Sequence, residues 1–265
     1  EGNVNYTIPQ IPQLARDGLK YGVRSLQIAG WQFGGHDNGY PYYEPDPRLG
    51  TWADLEAAIA ECHEMGVKVY FFVNITVANM DTELYEAKLA DETYETIQGV
   101  PAWIAGWGMG TLAARMNLTT PLMSFNDVSF PDFADLQLEY FKKLAEIGAD
   151  GIHIDKAFPQ PLNFNPRCVM SPDQSPWEGA IRMVERVSRE CRAIHPDFRL
   201  SVECTWDRYL SFGASTWWGH AGNMATARKV FPELVETVGL YQPYDFIGVN
   251  DAVRNGHAVM VAPYQ

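Results

Sequence analysis

A chain of 265 residues with 46% hydrophobic and 13% aromatic content is long enough to bury the core of one large α/β domain, and too apolar to be disordered. Thirty-three acidic against 20 basic residues leave a formal charge of −13, which removes the cationic surface that nucleic acid and anionic membranes both require. No apolar run approaches the roughly 20 residues of a spanning helix, so a soluble chain with neither a nucleic-acid nor a membrane partner is expected.

In chain order, one pattern recurs: an amphipathic helix, a glycine, a short β-branched strand and a polar loop. A helix over 14–20 leads through Gly22 into a strand ending at Ile28. The loop that follows carries His36, Asp37 and Tyr40 beside Gly34 and Gly35. It reads either as a hydroxyl-binding loop, with Asp37 accepting two neighbouring sugar hydroxyls, or as a turn of Gly, Asp, Asn and Pro with aromatics packed beneath it. The clearest helix spans 51–65, with Thr51 as N-cap, Asp54 three residues on, and Leu55, Ala58, Ile59 and Cys62 as its apolar stripe. Gly66 ends it, and a strand runs on to Asn74.

The interval from Gly22 to Gly66 is 44 residues, that from Gly66 to Gly148 is 82, and that from Gly148 to Pro196 is 48. The doubled middle interval is expected to hold a third barrel strand within 116–125, after a hairpin-and-loop excursion over 84–110 that lies across the barrel mouth. A helix over 133–147 then stops at Gly148, and the fourth strand presents Ile152 and Ile154 on one face and His153 and Asp155 on the other. A helix over 177–194 precedes a fifth strand from Arg199, on which Ser201, Glu203 and Thr205 share a face opposite Leu200, Val202 and Cys204. Weaker signals place a helix near 225–229, a strand near 234–238, a helix over 250–255 and a last strand over 258–262.

Helices alternating with strands imply a parallel sheet, here a (β/α)8 TIM-type barrel as one domain over 1–265, with about seven strands of eight present and the C-terminal end incomplete. A start at Glu1 without Met reads as a processed or excised piece. Unpaired edges at 23–28 and 258–262 then predict a homodimer or completion by a longer parent chain. The four cysteines, Cys62, Cys168, Cys191 and Cys204, have no C-x-x-C spacing and are expected as buried thiols. The glycosylation-like triplets at Asn5, Asn74 and Asn117 are read as accidental.

Catalytic groups of a βα-barrel collect at the carboxyl ends of its strands, where this chain puts Asn74, Asp155 and Glu203. Two carboxyls on adjacent strands suit glycoside hydrolysis, one as nucleophile or base and one as proton donor. The structural alternatives are that Asp155 caps a helix or closes a turn, and that Glu203 forms an ion pair with Lys156 or Arg208. Asp251 and His257 read as parts of a capped short helix and its end, outside the site. A metal site from His36, Asp37, His153, Asp155 and Glu203 lacks any H-x-H or H-E-x-x-H spacing, and no cofactor is expected.

The stretches Trp31-Gln-Phe-Gly-Gly-His-Asp, Tyr40-Pro-Tyr-Tyr, Pro45-Asp-Pro-Arg-Leu-Gly-Thr-Trp and Gly148-Ala-Asp-Gly-Ile-His-Ile-Asp together resemble a group of glycosidase-like barrels, from the first strand to about Asp207. More distantly the chain is similar to the α-amylase, α-galactosidase and endo-α-N-acetylgalactosaminidase barrels. That resemblance implies a nucleophile at the end of strand four, Asp155, and an acid/base at the end of strand five, Glu203, in a retaining hydrolase of an α-linked glycoside. α-Galactosidases take their acid from strand six, which leaves Asp207 in reserve. His153 departs from the Arg or Lys that α-amylases and α-galactosidases carry two residues before the nucleophile. Expected substrate-binding residues are Trp31, His36, Asp37, Tyr40, Asn74, His153, Lys156, Trp206 and Asp207. The competing functions are a non-catalytic carbohydrate-binding barrel and a metal-dependent hydrolase.

Overall fold

The computed structural model describes residues 4–104, 122–157, 161–203, 206–212, 214–217, 229–240 and 246–261. Seven parallel strands form its main sheet: β1 (Ser25–Ile28), β2 (Lys68–Asn74), β6 (Gly151–Asp155), β7 (Arg199–Glu203), β8 (Ala214–Trp217), β9 (Glu236–Leu240) and β10 (Ala258–Val261), in that spatial order. Helix α1 (Ile11–Leu19) precedes β1, and α2 (Trp52–Glu64), α3 (Pro131–Glu146), α4 (Ala180–Ile194), α5 (Asp207–Leu210) and α6 (Phe246–Asn255) lie between strands in sequence. Among the described residues no pairing joins β1 to β10, so the architecture shown is a mixed α/β fold with a seven-stranded parallel sheet.

The four longer helices before β7 form close to where the sequence pattern predicts, whereas α5 was not expected, and the helix boundaries have local causes. Thr51 and Asp54 form a reciprocal capping box on α2, with the Asp54 amide donating to Thr51 Oγ1 at 3.2 Å and the Thr51 amide to Asp54 Oδ2 at 2.8 Å. Gly66 and Gly148 take positive φ, +70° and +91°, and so turn α2 and α3 directly into β2 and β6. The helix expected over 177–194 opens instead with a π-helical turn, Ser175–Gly179, before α4.

Strand alternation sorts the sheet into two faces. Val69, Phe71 and Val73 of β2, Ile152 and Ile154 of β6, and Leu200 and Val202 of β7 are fully buried with the apolar stripes of α2, α3 and α4. Pairing of Phe72 with His153, Asn74 with Asp155 and His153 with Ser201 places those residues together on the other face.

The expected third barrel strand is corrected. β2 pairs directly with β6, so Asp155 and Glu203 end the third and fourth strands of the parallel sheet rather than the fourth and fifth. Residues 123–125 are extended, but as β5 (Met123–Phe125), the centre of a separate antiparallel sheet with β3 (Val77–Asn79) and β4 (Trp103–Ile104). Interval length alone did not distinguish a barrel strand from an excursion that pairs with itself. Within that excursion a hairpin turns at Gly99, where the Val100 carbonyl accepts from the Thr96 amide at 2.8 Å.

A buried polar cluster fastens the excursion down. The Asp127 carboxylate accepts from the Ser129 amide at 2.8 Å, from Asn163 Nδ2 at 2.6 Å and from the Ser175 hydroxyl, and Asn165 Nδ2 donates to the carbonyls of Asp91 and Thr93. Glu92 Oε2 accepts from the Phe133 amide at 2.7 Å, satisfying one of the open donors in the first turn of α3.

The strand expected near 234–238 sits at Glu236–Leu240, and the helix near 250–255 begins earlier, at Phe246. The expected helix near 225–229 falls mostly outside the described residues, as do 105–121 and Cys204. Cys62 and Cys191 are buried free thiols, and Cys168 is half-buried.

The closest backbone approach in the main sheet is at Gly151, where a Cβ would stand 2.0 Å from the Arg199 carbonyl oxygen. We expect Gly151→Ala to force β6 away from β7 and to destabilise the chain by about 3 kcal/mol or more in urea unfolding, well beyond the effect of alanine at the exposed Gly22.

Candidate active site

Asp155, Glu203 and Asn74 meet where three adjacent strands end. The Glu203 and Asp155 side chains hydrogen-bond to each other, and both residues are buried. Asn74 Nδ2 reaches Asp155 Oδ2 at 3.4 Å, while its Oδ1 accepts from the amides of Thr76 and Val77 at 2.7 and 3.0 Å. Tyr43 Oη fixes the Asn74 backbone from beneath, donating to its carbonyl and accepting from its amide, both at 2.6 Å.

Lys156 takes a left-handed φ of +53°, which turns its amide and its side chain toward different partners. The amide donates to Glu203 Oε2 at 2.7 Å; the ammonium donates to Asp155 Oδ2 and lies 3.4 Å from Asp37 Oδ1. Its side chain is 3% exposed. Asp37, also left-handed at φ +54°, comes from the glycine-rich loop after β1, where its amide donates to Tyr40 Oη at 3.3 Å. His36 stands beside Asp37 at 3.6 Å with its ring edge-on to Phe72.

These contacts drive the two carboxyls apart in acidity. Burial raises the pKa of Asp155, but the Lys156 charge and the hydrogen bonds from Glu203 and Lys156 outweigh it, holding Asp155 below the ordinary carboxylate range. Glu203 is pushed up to about 8 by burial, by its hydrogen bond to Asp155 and by the Asp155 charge. At neutral pH, then, Glu203 carries the proton and Asp155 the negative charge. His153, fully buried with Nδ1 3.1 Å from Ser201 Oγ, is lowered to about 4 by burial and is neutral there. Its ring fills the layer beneath the carboxyls without adding charge.

The structure brings Asp37, Asn74, Asp155, Lys156 and Glu203 together, with His36 and His153 at the margins. Trp31 and Tyr40 are corrected: both are completely buried in the core. Trp31 donates its indole N–H to the Phe72 carbonyl at 3.0 Å and stacks on Tyr43, and the Tyr40 hydroxyl accepts from the Asp37 amide. Both therefore support the loop, with no face open to a ligand. Asp207 is exposed at the start of α5.

Trp206 packs edge-on against Trp177, which is 42% exposed, and against Tyr209. Tyr209 Oη donates to the Ala157 carbonyl at 2.6 Å, tying this aromatic group to the end of β6. Arg208 pairs with Glu178 rather than Glu203. Sequence reading missed the supporting roles of Tyr43, Thr76 and Tyr209. Tyr43 lies in the aromatic Tyr40-Pro-Tyr-Tyr stretch, but nothing in the sequence marks it as the partner of Asn74. Among the described residues no group of three or more His, Cys, Asp or Glu is arranged to hold a metal ion, and no helix is long and apolar enough to cross a membrane.

His153 has a stability signature. Its folded pKa lies below the unfolded value of 6.5, so between pH 6.5 and about 4 the unfolded chain binds a proton that the fold refuses, and stability falls as pH falls. We expect this loss to reach about 3 kcal/mol by pH 4. His153→Gln should remove that part of the slope in denaturant titrations across the window, whatever its effect at pH 7.

No protein-family model matches the chain, and no curated protein matches it. Its structure is similar to that of the ligand-free α-N-acetylgalactosaminidase NagBb from Bifidobacterium bifidum, at 18% identity and TM-score 0.62, covering 91% of this chain and 34% of that one. It is also similar to the GH36 α-galactosidase AgaA from Geobacillus stearothermophilus in complex with 1-deoxygalactonojirimycin (15%, TM-score 0.64, 97% of this chain and 37% of that one). TtGalA, the α-galactosidase from Thermus thermophilus in complex with stachyose, matches at 13% and TM-score 0.65, covering 96% of this chain and 57% of that one. This chain spans about a third of the length of the first two. At these identities the likeness is one of fold: that of the glycosidase barrels.

Proposed function

We propose that this chain is the barrel domain, of (β/α)8 type, of a retaining glycoside hydrolase acting on an α-linked glycoside. The observation that carries the reading is a pair of buried carboxyls at the ends of adjacent parallel strands, bridged by Lys156, whose surroundings push their acidities apart. Two titratable groups whose surroundings push their acidities apart mark an acid and a base or nucleophile, and here the strand ends place both where barrel enzymes do chemistry.

In the first step the Asp155 carboxylate attacks the anomeric carbon while Glu203 gives its proton to the departing glycosidic oxygen, leaving a glycosyl ester on Asp155. In the second, Glu203, now ionised, takes a proton from a water that attacks the same carbon, and the Asp155 carboxylate is released. Two carboxyls close enough to shift each other's acidity are nearer the roughly 5–5.5 Å spacing of a retaining pair than the roughly 6.5–9.5 Å of an inverting one, and this supports retention. The α-linkage rests on the fold likeness to α-galactosidases and an α-N-acetylgalactosaminidase.

Among the described residues, with Glu203 and His153 neutral, the two aspartates and the Lys156 ammonium leave the site with one net negative charge, which favours a neutral sugar over a uronic acid or a sulfated one. Asp37 is placed to accept sugar hydroxyls. The exposed ring of Trp177 beside Trp206 offers a stacking platform for a further sugar.

Asp155→Asn is expected to abolish turnover of aryl α-glycosides, by roughly a thousandfold or more, with the fold intact by circular dichroism, because the amide is isosteric but not nucleophilic. Activity near that of the parent chain would exclude Asp155 as nucleophile. For Glu203→Gln, aryl glycosides with good leaving groups should lose far less in the glycosylation step than those with poor ones. Since Glu203 must be protonated to act, kcat/KM of the parent chain should fall as pH rises through about 8, and this basic limb should vanish in Glu203→Gln with an activated leaving group. A non-catalytic carbohydrate-binding barrel would bind sugars without turnover and show none of these differences.

A further inference from the structure

Lys156 touches both carboxyls, and it does so with two chemically different parts of one residue. Its main-chain N–H donates to Glu203 Oε2 at 2.7 Å, its ammonium to Asp155 Oδ2. The backbone that allows this is held at both ends: the Thr76 hydroxyl donates to the Lys156 carbonyl at 3.3 Å, and Tyr209 holds the next carbonyl, that of Ala157. Burial makes the arrangement costly unless the ammonium is well partnered, and a third element supplies a further partner, Asp37 Oδ1 at 3.4 Å. A lysine needed only to fill space would not require a left-handed backbone, two carboxylate partners and a nearly inaccessible ammonium.

Resting on the hydrolase reading of this site, we propose that Lys156 is its positioning residue: the amide fixes the rotamer of Glu203 and the ammonium holds Asp155 as the charged partner, so that one residue makes two similar carboxyls unequal. Without the ammonium, two hydrogen-bonded carboxyls share one proton nearly evenly, as any close like-charged pair does. With it, the charge has a fixed location. Lys156 acts through the pair and does not touch the bond that breaks. Asp37 completes the device from the β1 loop, which makes the loop's position a condition for the correct charge on Asp155.

Among the described residues, the titratable and charged groups facing this centre are Glu203 on β7, His153 on β6, Asp37 and His36 on the β1 loop, and the Tyr40 and Tyr43 hydroxyls. The experiment therefore follows the carboxyls themselves, by 13C NMR titration of labelled Asp and Glu in the parent chain, Lys156→Met and Lys156→Arg. In Lys156→Met the Asp155 midpoint is expected to rise by about one to three pH units, as follows from losing an opposite charge in direct contact. Lys156→Arg, which keeps the charge, should leave it near the parent value. The acidic limb of kcat/KM on an aryl α-glycoside should move in parallel.

Unmoved Asp155 and Glu203 midpoints in Lys156→Met would overturn the proposal, even if activity or Tm fell. Should Lys156→Met fail to fold, Lys156→Gly keeps the amide and adopts positive φ without strain. In Lys156→Gly the Asp155 midpoint should rise and then return on adding n-butylammonium, and a midpoint unchanged throughout would count against the proposal. The titration needs no substrate, so a parent chain that hydrolyses no glycoside would remove the hydrolase reading while the role of Lys156 in dividing the charge is still decided.

Discussion

Charge buried at the ends of β6 and β7 is the constraint around which the rest of the molecule is arranged. A carboxylate buried beside a second carboxyl stays ionised only with a cation against it, and Lys156 is the cation supplied to Asp155. Supplying it has consequences at each level. The backbone must turn left-handed at Lys156, the Thr76 hydroxyl must hold its carbonyl, and the β1 loop must bring Asp37 to the other side of the ammonium. The neutral His153 beneath adds a polar layer but no further charge.

The parts furthest from the carboxyls serve the same end. Trp31 and Tyr43 stack in the core, so that Tyr43 can fix the Asn74 backbone and leave the Asn74 amide group aimed at Asp155. Asn79 on β3 accepts from the Tyr40 amide at 2.9 Å and ties the small antiparallel sheet to the β1 loop. That sheet is anchored in turn through the buried cluster around Asp127, whose carboxyl burial raises in pKa. The excursion is thus connected by hydrogen bonds to the β1 loop and to the segment after β6.

Fold likeness to α-galactosidases and an α-N-acetylgalactosaminidase supports a hydrolytic reading only because the site stands on its own chemistry. Those proteins show that a barrel of this shape can hold such activities. The opposed carboxyls are what supports the proposal for this chain. A lysine directly following the proposed nucleophile, and contacting the acid through its amide, is a feature of this chain's own geometry.

The sequence by itself determined the elements whose causes are local. Hydrophobic periodicity, the Thr51 cap and the glycines at 66 and 148 located α2, β2, α3 and β6, and strand alternation put Asp155 and Glu203 on one face. It did not determine which strands are neighbours. Direct pairing of β2 with β6 depends on contacts across 81 positions of chain, such as Asn74 with Asp155, for which no local pattern exists. Aromatic identity likewise could not separate Trp31, sealed in the core, from Trp177 at the surface, because both residues suit either place. Only the tertiary structure decided where the proton and the charge reside, since that follows from Lys156, Asp37 and burial meeting at one point from three separate segments.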